Sequence, residues 1–242
     1  MIEVNDVSRR YGSFTAVDGV SFRLRNGYTY GLIGQRGCGK SSLLNLIAGS
    51  LPPTSGTVVI DGYDLSDKPY DARRRVGYCP ADFSVCGDMT VRELFEFVAS
   101  AKGVKGELAV RQINEVTVAA GLTEMRGKLL SSLSGMDRRR AGLAQTLIGN
   151  PGTILLDEPL AGLSDGDAAE MTALIARLFE KKTILLTACT REEALPLCGE
   201  LLFMDGGRLT GTETVPETTP ETVDDAAAPE PDPADDGKEE TT

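Results

Sequence analysis

No histidine and no tryptophan occur anywhere in the 242 residues. The first absence removes the imidazole from every role it fills near neutral pH, as proton carrier, cationic switch or metal ligand. Five cysteines are present, Cys38, Cys79, Cys86, Cys189 and Cys198, and no two form a C-x-x-C pair. Their odd number and scattered spacing argue against a disulfide frame or a zinc site and for reduced thiols in the cytosol. No apolar stretch approaches a membrane span, and residues 1–6 lack the basic and apolar regions of a signal peptide. A soluble chain is expected. No basic patch of the kind that nucleic-acid binding requires is present, so no nucleic-acid partner is expected.

Charge is placed unevenly. Residues 212–242 hold eleven acidic residues and one lysine, a net −10 out of the chain's −11. The same segment carries five prolines, a loose Pro-Glu-Thr repetition around Pro216 and Pro220, and no aromatic residue. Such a composition cannot bury enough apolar surface to order itself, so a disordered, solvated tail is expected there. A chain of 242 residues has the length of one large α/β domain plus an appendage, with the domain over 1–211.

What is present begins with Gly34-Gln35-Arg36-Gly37-Cys38-Gly39-Lys40-Ser41, which fits G-x-x-x-x-G-K-[ST]. It follows the apolar run Tyr28-Thr29-Tyr30-Gly31-Leu32-Ile33, which reads as a buried strand, and a helix is expected to start near Ser41. Small residues let such a loop wrap an anion with several backbone N–H groups and a helix N-terminus aimed at a β-phosphate. Lys40 would reach the β- and γ-phosphates, and the Ser41 hydroxyl would hold Mg²⁺. Cys38 sits inside the loop at a helix N-terminus, where thiols tend to be reactive, so alkylation there is expected to block ATP binding.

Along the chain, Val20, Phe22 and Leu24 alternate with polar residues as a half-buried strand, with 2–7 a candidate partner before the Tyr11-Gly12 turn. A break at Pro52-Pro53-Thr54-Ser55-Gly56 precedes a strand over 58–60 that closes at Asp61-Gly62, and 75–78 is a further short strand. From 90 to 130 the period turns helical, with Val91, Leu94, Phe95 and Val98 on one face. Strands over 153–157, 183–187 and 201–205 then alternate with helices over 165–180 and 192–197. The alternation predicts an α/β fold with a mostly parallel sheet. In Ile154-Leu155-Leu156-Asp157-Glu158-Pro159 the apolar strand ends in two carboxylates, at the sheet edge where phosphate sites of such folds lie. Asp157 would support the Mg²⁺ shell, and Glu158 would orient or deprotonate the attacking water.

In motif order and spacing, residues 2–209 resemble the nucleotide-binding subunit of ATP-binding-cassette (ABC) transporters. Val76-Gly77-Tyr78-Cys79-Pro80 and Asp88-Met89-Thr90-Val91-Arg92-Glu93 are similar to the subunits that serve exporter-type permeases. The resemblance implies a P-loop NTPase core with a mostly parallel sheet, an N-terminal antiparallel β subdomain and a helical subdomain at about 82–135. It implies that Tyr11 stacks on adenine, although that ring could equally be core, and that Ser42 joins the nucleotide-binding loop. Leu133-Ser134-Gly135-Met136-Asp137 takes the place of the L-S-G-G-Q signature, whose Ser134 and Gly135 would cap the nucleotide of an opposite subunit. Met136 replaces a glycine that lets phosphate approach closely, and Asp137 adds negative charge. Arg138 to Arg140, which follow, read equally well as a solvated basic turn.

Three more positions depart from the family pattern. Ala81 stands where relatives carry a glutamine or glutamate, Ser164 replaces the aspartate of the dimer-contact loop, and Cys189 replaces the switch histidine. A neutral thiol is a weak donor and has no cationic form near pH 7. The resemblance therefore implies an ATPase subunit, a homodimer or heterodimer, bound through a separate transmembrane permease to the cytoplasmic face of a membrane, with slow hydrolysis by Glu158. The alternative is a non-hydrolysing ATP-binding partner within a heterodimeric ABC complex.

Overall fold

The computed structural model describes residues 1–82 and 88–216. Cys86 and the acidic residues from 217 onward lie outside the described residues, as do positions 83–87 of the expected helical subdomain.

Strand β1 (Ile2–Tyr11) folds back through the Gly12 turn into β2 (Phe14–Leu24), pairing Ile2 with Leu24 and Tyr11 with Phe14. Both strands are longer than their alternation suggested. Gly19, at φ 61°, lies where the register shifts between Val7 and Arg9, and Asp6, at φ 49°, where it shifts between Val4 and Val7. This bulge moves the alternation by one residue, so Ile2, Val4 and Val7 are all buried while Asp6 is exposed. On the other side of β1, β4 (Ser55–Ile60) pairs antiparallel and turns through Asp61-Gly62 into β5 (Tyr63–Asp64). Positive φ at both turn residues suits a tight hairpin. The order of this sheet is β2-β1-β4-β5.

The second sheet contains β3 (Thr29–Ile33), β6 (Val76–Cys79), β7 (Thr153–Leu156), β8 (Thr183–Ala188), β9 (Glu200–Asp205) and β10 (Arg208–Thr214). Its order is β10-β9-β3-β8-β7-β6, all parallel except β10, which runs antiparallel to β9. Every residue of β7 and β8 is buried, as expected for central parallel strands covered on both faces. Leu155 and Leu185 face a core shared with α1 (Lys40–Ile47) and the antiparallel sheet. Ile154, Leu156, Ile184 and Leu186 face the opposite core, against Met171, Leu174 and Ile175 of α6 (Asp165–Leu178).

A third core lies in the helical insert. A capping box between Thr90 and Glu93 starts α3 (Val91–Ala101), whose Val91, Leu94, Phe95 and Ala99 pack on Ile113 and Val116 of α4 (Gly106–Ala119). Ala141 and Ala144 of α5 (Gly135–Thr146), with Ile148, complete this cluster, so it draws on residues beyond position 135. The short α2 (Pro69–Arg74) and α7 (Arg191–Ala194) complete the α-helices among the described residues. Among the described residues no helix is long and apolar enough to cross a membrane.

The composition boundary at residue 211 falls inside β10. Thr212, Glu213 and Thr214 pair with Leu202, Leu201 and Glu200, Arg191 holds Glu213, and Val215 packs on the core. Threonine suits a strand edge, and the ladder of β9 orders three residues that composition alone assigned to the tail.

Candidate functional site

Three parallel strands end side by side at the site. β3 runs into Gly34, β7 into Asp157 and β8 into Cys189, and Gly34 donates its N–H to Ala188 O at 3.2 Å. The loop that follows β3 requires glycine where it crowds its neighbours. A Cβ on Gly34 would stand 2.3 Å from Met204 O, and one on Gly39, at φ 109°, would stand 2.2 Å from Ala16 O. Gln35, Arg36 and Gly37 are exposed, and Gly39 becomes the N-cap of α1. No side chain caps that helix and its first turn carries no acidic residue, so its N–H groups and positive dipole end are left for an anion.

Lys40 is 4% exposed, and its Nζ donates to Gly34 O at 2.6 Å and Gln35 O at 3.1 Å. It also lies 3.5 Å from Glu158 Oε1. A cavity of about 450 Å³ opens here, lined by Phe14, Ala16, Arg36, Gly37, Gly39, Lys40, Ser41, Ser42, Ala81 and Glu158. Of the residues singled out in the sequence, Arg36, Gly37, Gly39, Lys40, Ser41, Ser42 and Glu158 share this lining. Tyr11 is absent from the lining: its ring is exposed beneath the Arg9 guanidinium, 4.8 Å away, and Phe14 faces the cavity instead. Cys38 is also placed differently from the expectation. It is 7% exposed and packs in the core with its thiol against Gly34, which shields it from alkylating reagents.

Asp157 is 6% exposed, with its N–H on Cys79 O at 2.9 Å. Its Oδ1 accepts the Thr187 hydroxyl at 2.7 Å, and the same hydroxyl accepts the Glu158 N–H at 2.8 Å. Thr187, 1% exposed, therefore ties the two carboxylate residues to β8. Sequence reading missed it; the only signal was a hydroxyl among the apolar residues of a buried strand. Glu158 itself has φ 47°, a left-handed backbone that glutamate adopts only when its surroundings impose it. Cys189 Sγ donates to Glu158 Oε1 at 3.5 Å, so the carboxylate lies between a lysine and a thiol. Burial first, and then the bond to Glu158, hold the Cys189 thiol above its ordinary pKa, which keeps it a neutral donor.

The signature residues lie outside this cavity. Ser134 and Gly135 are exposed at the N-terminus of α5, where the Ser134 hydroxyl accepts Asp137 N–H at 3.0 Å and donates to Asp137 Oδ2 at 2.8 Å. Asp137 also meets Arg140 at 3.6 Å, which offsets its charge, and Met136 packs on the core. Ser164 repeats the device at the start of α6 with Asp167. The three arginines are not a solvated turn. Arg138 bonds Leu130 O, Ser131 O and Leu133 O, Arg139 bonds Pro159 O and Ala161 O, and Arg140 pairs with Glu170.

Chemically, the cavity combines unpartnered helix N–H groups, a lysine and hydroxyls with the Glu158 carboxylate, beside which Asp157 lies buried, and this suits a nucleoside polyphosphate. No three His, Cys, Asp or Glu side chains converge as a metal cage among the described residues. Ser41 and Asp157 are a hard-oxygen pair that fits Mg²⁺, an ion usually held by one or two protein oxygens together with substrate phosphates.

A family profile described as ABC transporter matches residues 17–161. The Nod factor export ATP-binding protein I of Ralstonia nicotianae is 34% identical over 210 residues, 86% of this chain and 65% of that protein. The probable multidrug ABC transporter ATP-binding protein YbhF of Escherichia coli K12 is 29% identical over 234 residues, 96% of this chain and 40% of the relative. The chain thus spans less than two thirds of the length of either. A solved dimer of an ATP-binding cassette, bound to ADP and Pi after hydrolysis, superposes with TM-score 0.76 at 22% identity, covering 88% of this chain and 98% of that one, and shows the same fold. With a family match that takes in the phosphate loop and both strand-end carboxylates, the chain belongs to the ABC transporter family as one of its ATP-binding cassettes.

Proposed function

We propose that the chain binds ATP with Mg²⁺ and hydrolyses it slowly, as the ATP-binding subunit that drives a separate membrane permease from the cytoplasmic face. The observation that carries this reading is the Glu158 carboxylate held between Lys40 and Cys189 at the mouth of the phosphate loop. Lys40 would leave the Gly34 and Gln35 carbonyls for the β- and γ-phosphates, while the N-terminus of α1 takes the remaining charge. Ser41 and Asp157 would hold Mg²⁺, which, when bound, offsets charge on the phosphate oxygens. Glu158 would orient the attacking water and accept its proton.

Slowness follows from three groups. Ala81 lines the cavity with a methyl that can hold neither metal nor water, Cys189 offers a neutral thiol in place of a cationic ring, and Met136, packed on the core, stands where a glycine would leave the partner's nucleotide free to approach. Losing one positioned donor of this kind costs about 10²- to 10³-fold in rate, and losses of groups that act together do not simply multiply. A dimer, in which Ser134 and Gly135 of one copy close the site of another, is the arrangement that their exposure at the tip of α5 favours. The relatives named for export support an outward direction of transport.

The test is ATP turnover by the full chain, alone and with its permease, beside Glu158→Gln. Slow turnover that the substitution abolishes supports the proposal. Tight ATP binding with no turnover in either setting would contradict it and leave the chain a non-hydrolysing partner in a heterodimer.

A further inference from the structure

Arg139 stands on α5, five residues past the exposed Ser134 cap, and its guanidinium reaches back to the turn that carries Glu158. One nitrogen donates to Pro159 O at 2.8 Å and the other to Ala161 O at 2.5 Å. The turn is closed on itself by Ala161 N–H to Glu158 O at 3.2 Å, and it leads into Ser164 at the start of α6. On its other side the Glu158 N–H is fixed to Thr187 at 2.8 Å. Glu158, at φ 47°, is therefore held from two elements: its amide by β8 and the carbonyls just beyond it by α5. A shift at Ser134 and Gly135 carried along the first turns of α5 would reach this turn through Arg139, with the amide bond to Thr187 as its fixed point.

We propose that Arg139 is a positioning residue that couples the exposed tip of α5, where a second copy would meet this chain, to the Glu158 carboxylate. This rests on the reading of Glu158 as the group that acts on water. Two donors held at fixed spacing by a planar guanidinium are what the geometry uses, and lysine, whose flexible stem ends in one ammonium without that spacing, replaces them only in part. Displacing a reacting group by about 1 Å is enough to cost about 10²-fold in rate.

The test compares Arg139→Met, Arg139→Lys and Glu158→Gln in the full chain by kcat, KM for ATP, thermal unfolding and the labelling rate of Cys189 resolved by peptide. Arg139→Met is expected to lower kcat by about 10- to 100-fold with KM within about twofold, and Arg139→Lys to recover part of the loss. Cys189 should label faster in Arg139→Met, as in Glu158→Gln, because the carboxylate that keeps the thiol protonated has left or lost its charge. Wild-type kcat and labelling in Arg139→Met, with Glu158→Gln inactive, would overturn the proposal alone. Loss of ATP binding in step with loss of folded protein would assign Arg139 a merely structural role and also overturn it. Glu158→Gln turning over at the wild-type rate would overturn the reading of Glu158, and this proposal with it.

Discussion

Replacing Thr187 by valine removes one hydroxyl and leaves the shape and β-branching that suit strand β8. That hydroxyl is 2.7 Å from Asp157 Oδ1 and 2.8 Å from the Glu158 nitrogen, so both bonds go together. A hydrogen bond to a charged group is worth about 1.5–3 kcal/mol, and an abandoned buried N–H costs about 1–3 kcal/mol. Asp157 is buried and loses the first in full, whereas the bond to the Glu158 amide is only part-buried, which places the second near its lower end. A loss of about 2–4 kcal/mol is expected, a large part of the 5–15 kcal/mol that holds a typical domain together. Turnover should fall by about 10- to 100-fold, since the amide that fixes the left-handed backbone of Glu158 is released. Urea unfolding, read as a midpoint shift at constant slope, measures the first effect, and steady-state ATPase assays measure the second. Thr187→Ser keeps the hydroxyl and should stay close to the parent in both. Valine matching the parent in stability and turnover would refute the reasoning, and serine failing as badly as valine would move the role from the hydroxyl to the methyl.

Thiol labelling should separate the two cysteines of the site: Cys38 inert in the folded chain, Cys189 reactive and protected by ATP, with a rate that climbs above the ordinary thiol range of pH because its pKa is raised. Fast labelling of Cys38 would contradict its placement in the core. For Lys102, whose pKa burial lowers to about 8, the folded chain binds fewer protons than the unfolded one between that value and the unperturbed lysine pKa of about 10.4. Stability attributable to this group therefore rises with pH through that window. Lys102→Met should be more stable than the parent at pH 7, with the gap closing near pH 10; a constant gap would refute the assignment to desolvation.

The phosphate loop and the strand-end carboxylates were legible because each rests on a local rule: glycine where the backbone crowds Ala16 and Met204, and acidic residues where a buried strand leaves the sheet. The helical insert was legible through its period and through Thr90 and Glu93, which cap it. What escaped depends on contacts between distant segments. Nothing local shows that Thr187 meets Asp157 and Glu158, which lie 30 and 29 positions away, or that Arg139 spans 20 and 22 positions to two carbonyls. The burial of Cys38 depends on how closely Gly34 lies against Met204. The end of strand β10 escaped because Thr212, Glu213 and Thr214 run into an acidic segment whose composition argued for solvent, while the ladder of β9 and the Arg191–Glu213 pair hold them. Asp137 and Ser164 were legible only as departures from a pattern; in the folded chain both take part in helix caps, at the starts of α5 and α6.

In the proposed function nucleotide binding is complete and the hydrolytic switch is not, with Cys189 the clearest missing part. Turnover of Cys189→His beside the parent chain, at saturating ATP and with ATP affinity measured on the same samples, tests it most directly. An imidazole in place of the thiol beside Glu158 should raise kcat by about 10-fold or more at unchanged affinity, and the gain should vanish in Cys189→His with Glu158→Gln. An unchanged kcat, or a gain that survives loss of the Glu158 carboxylate, would contradict the claim.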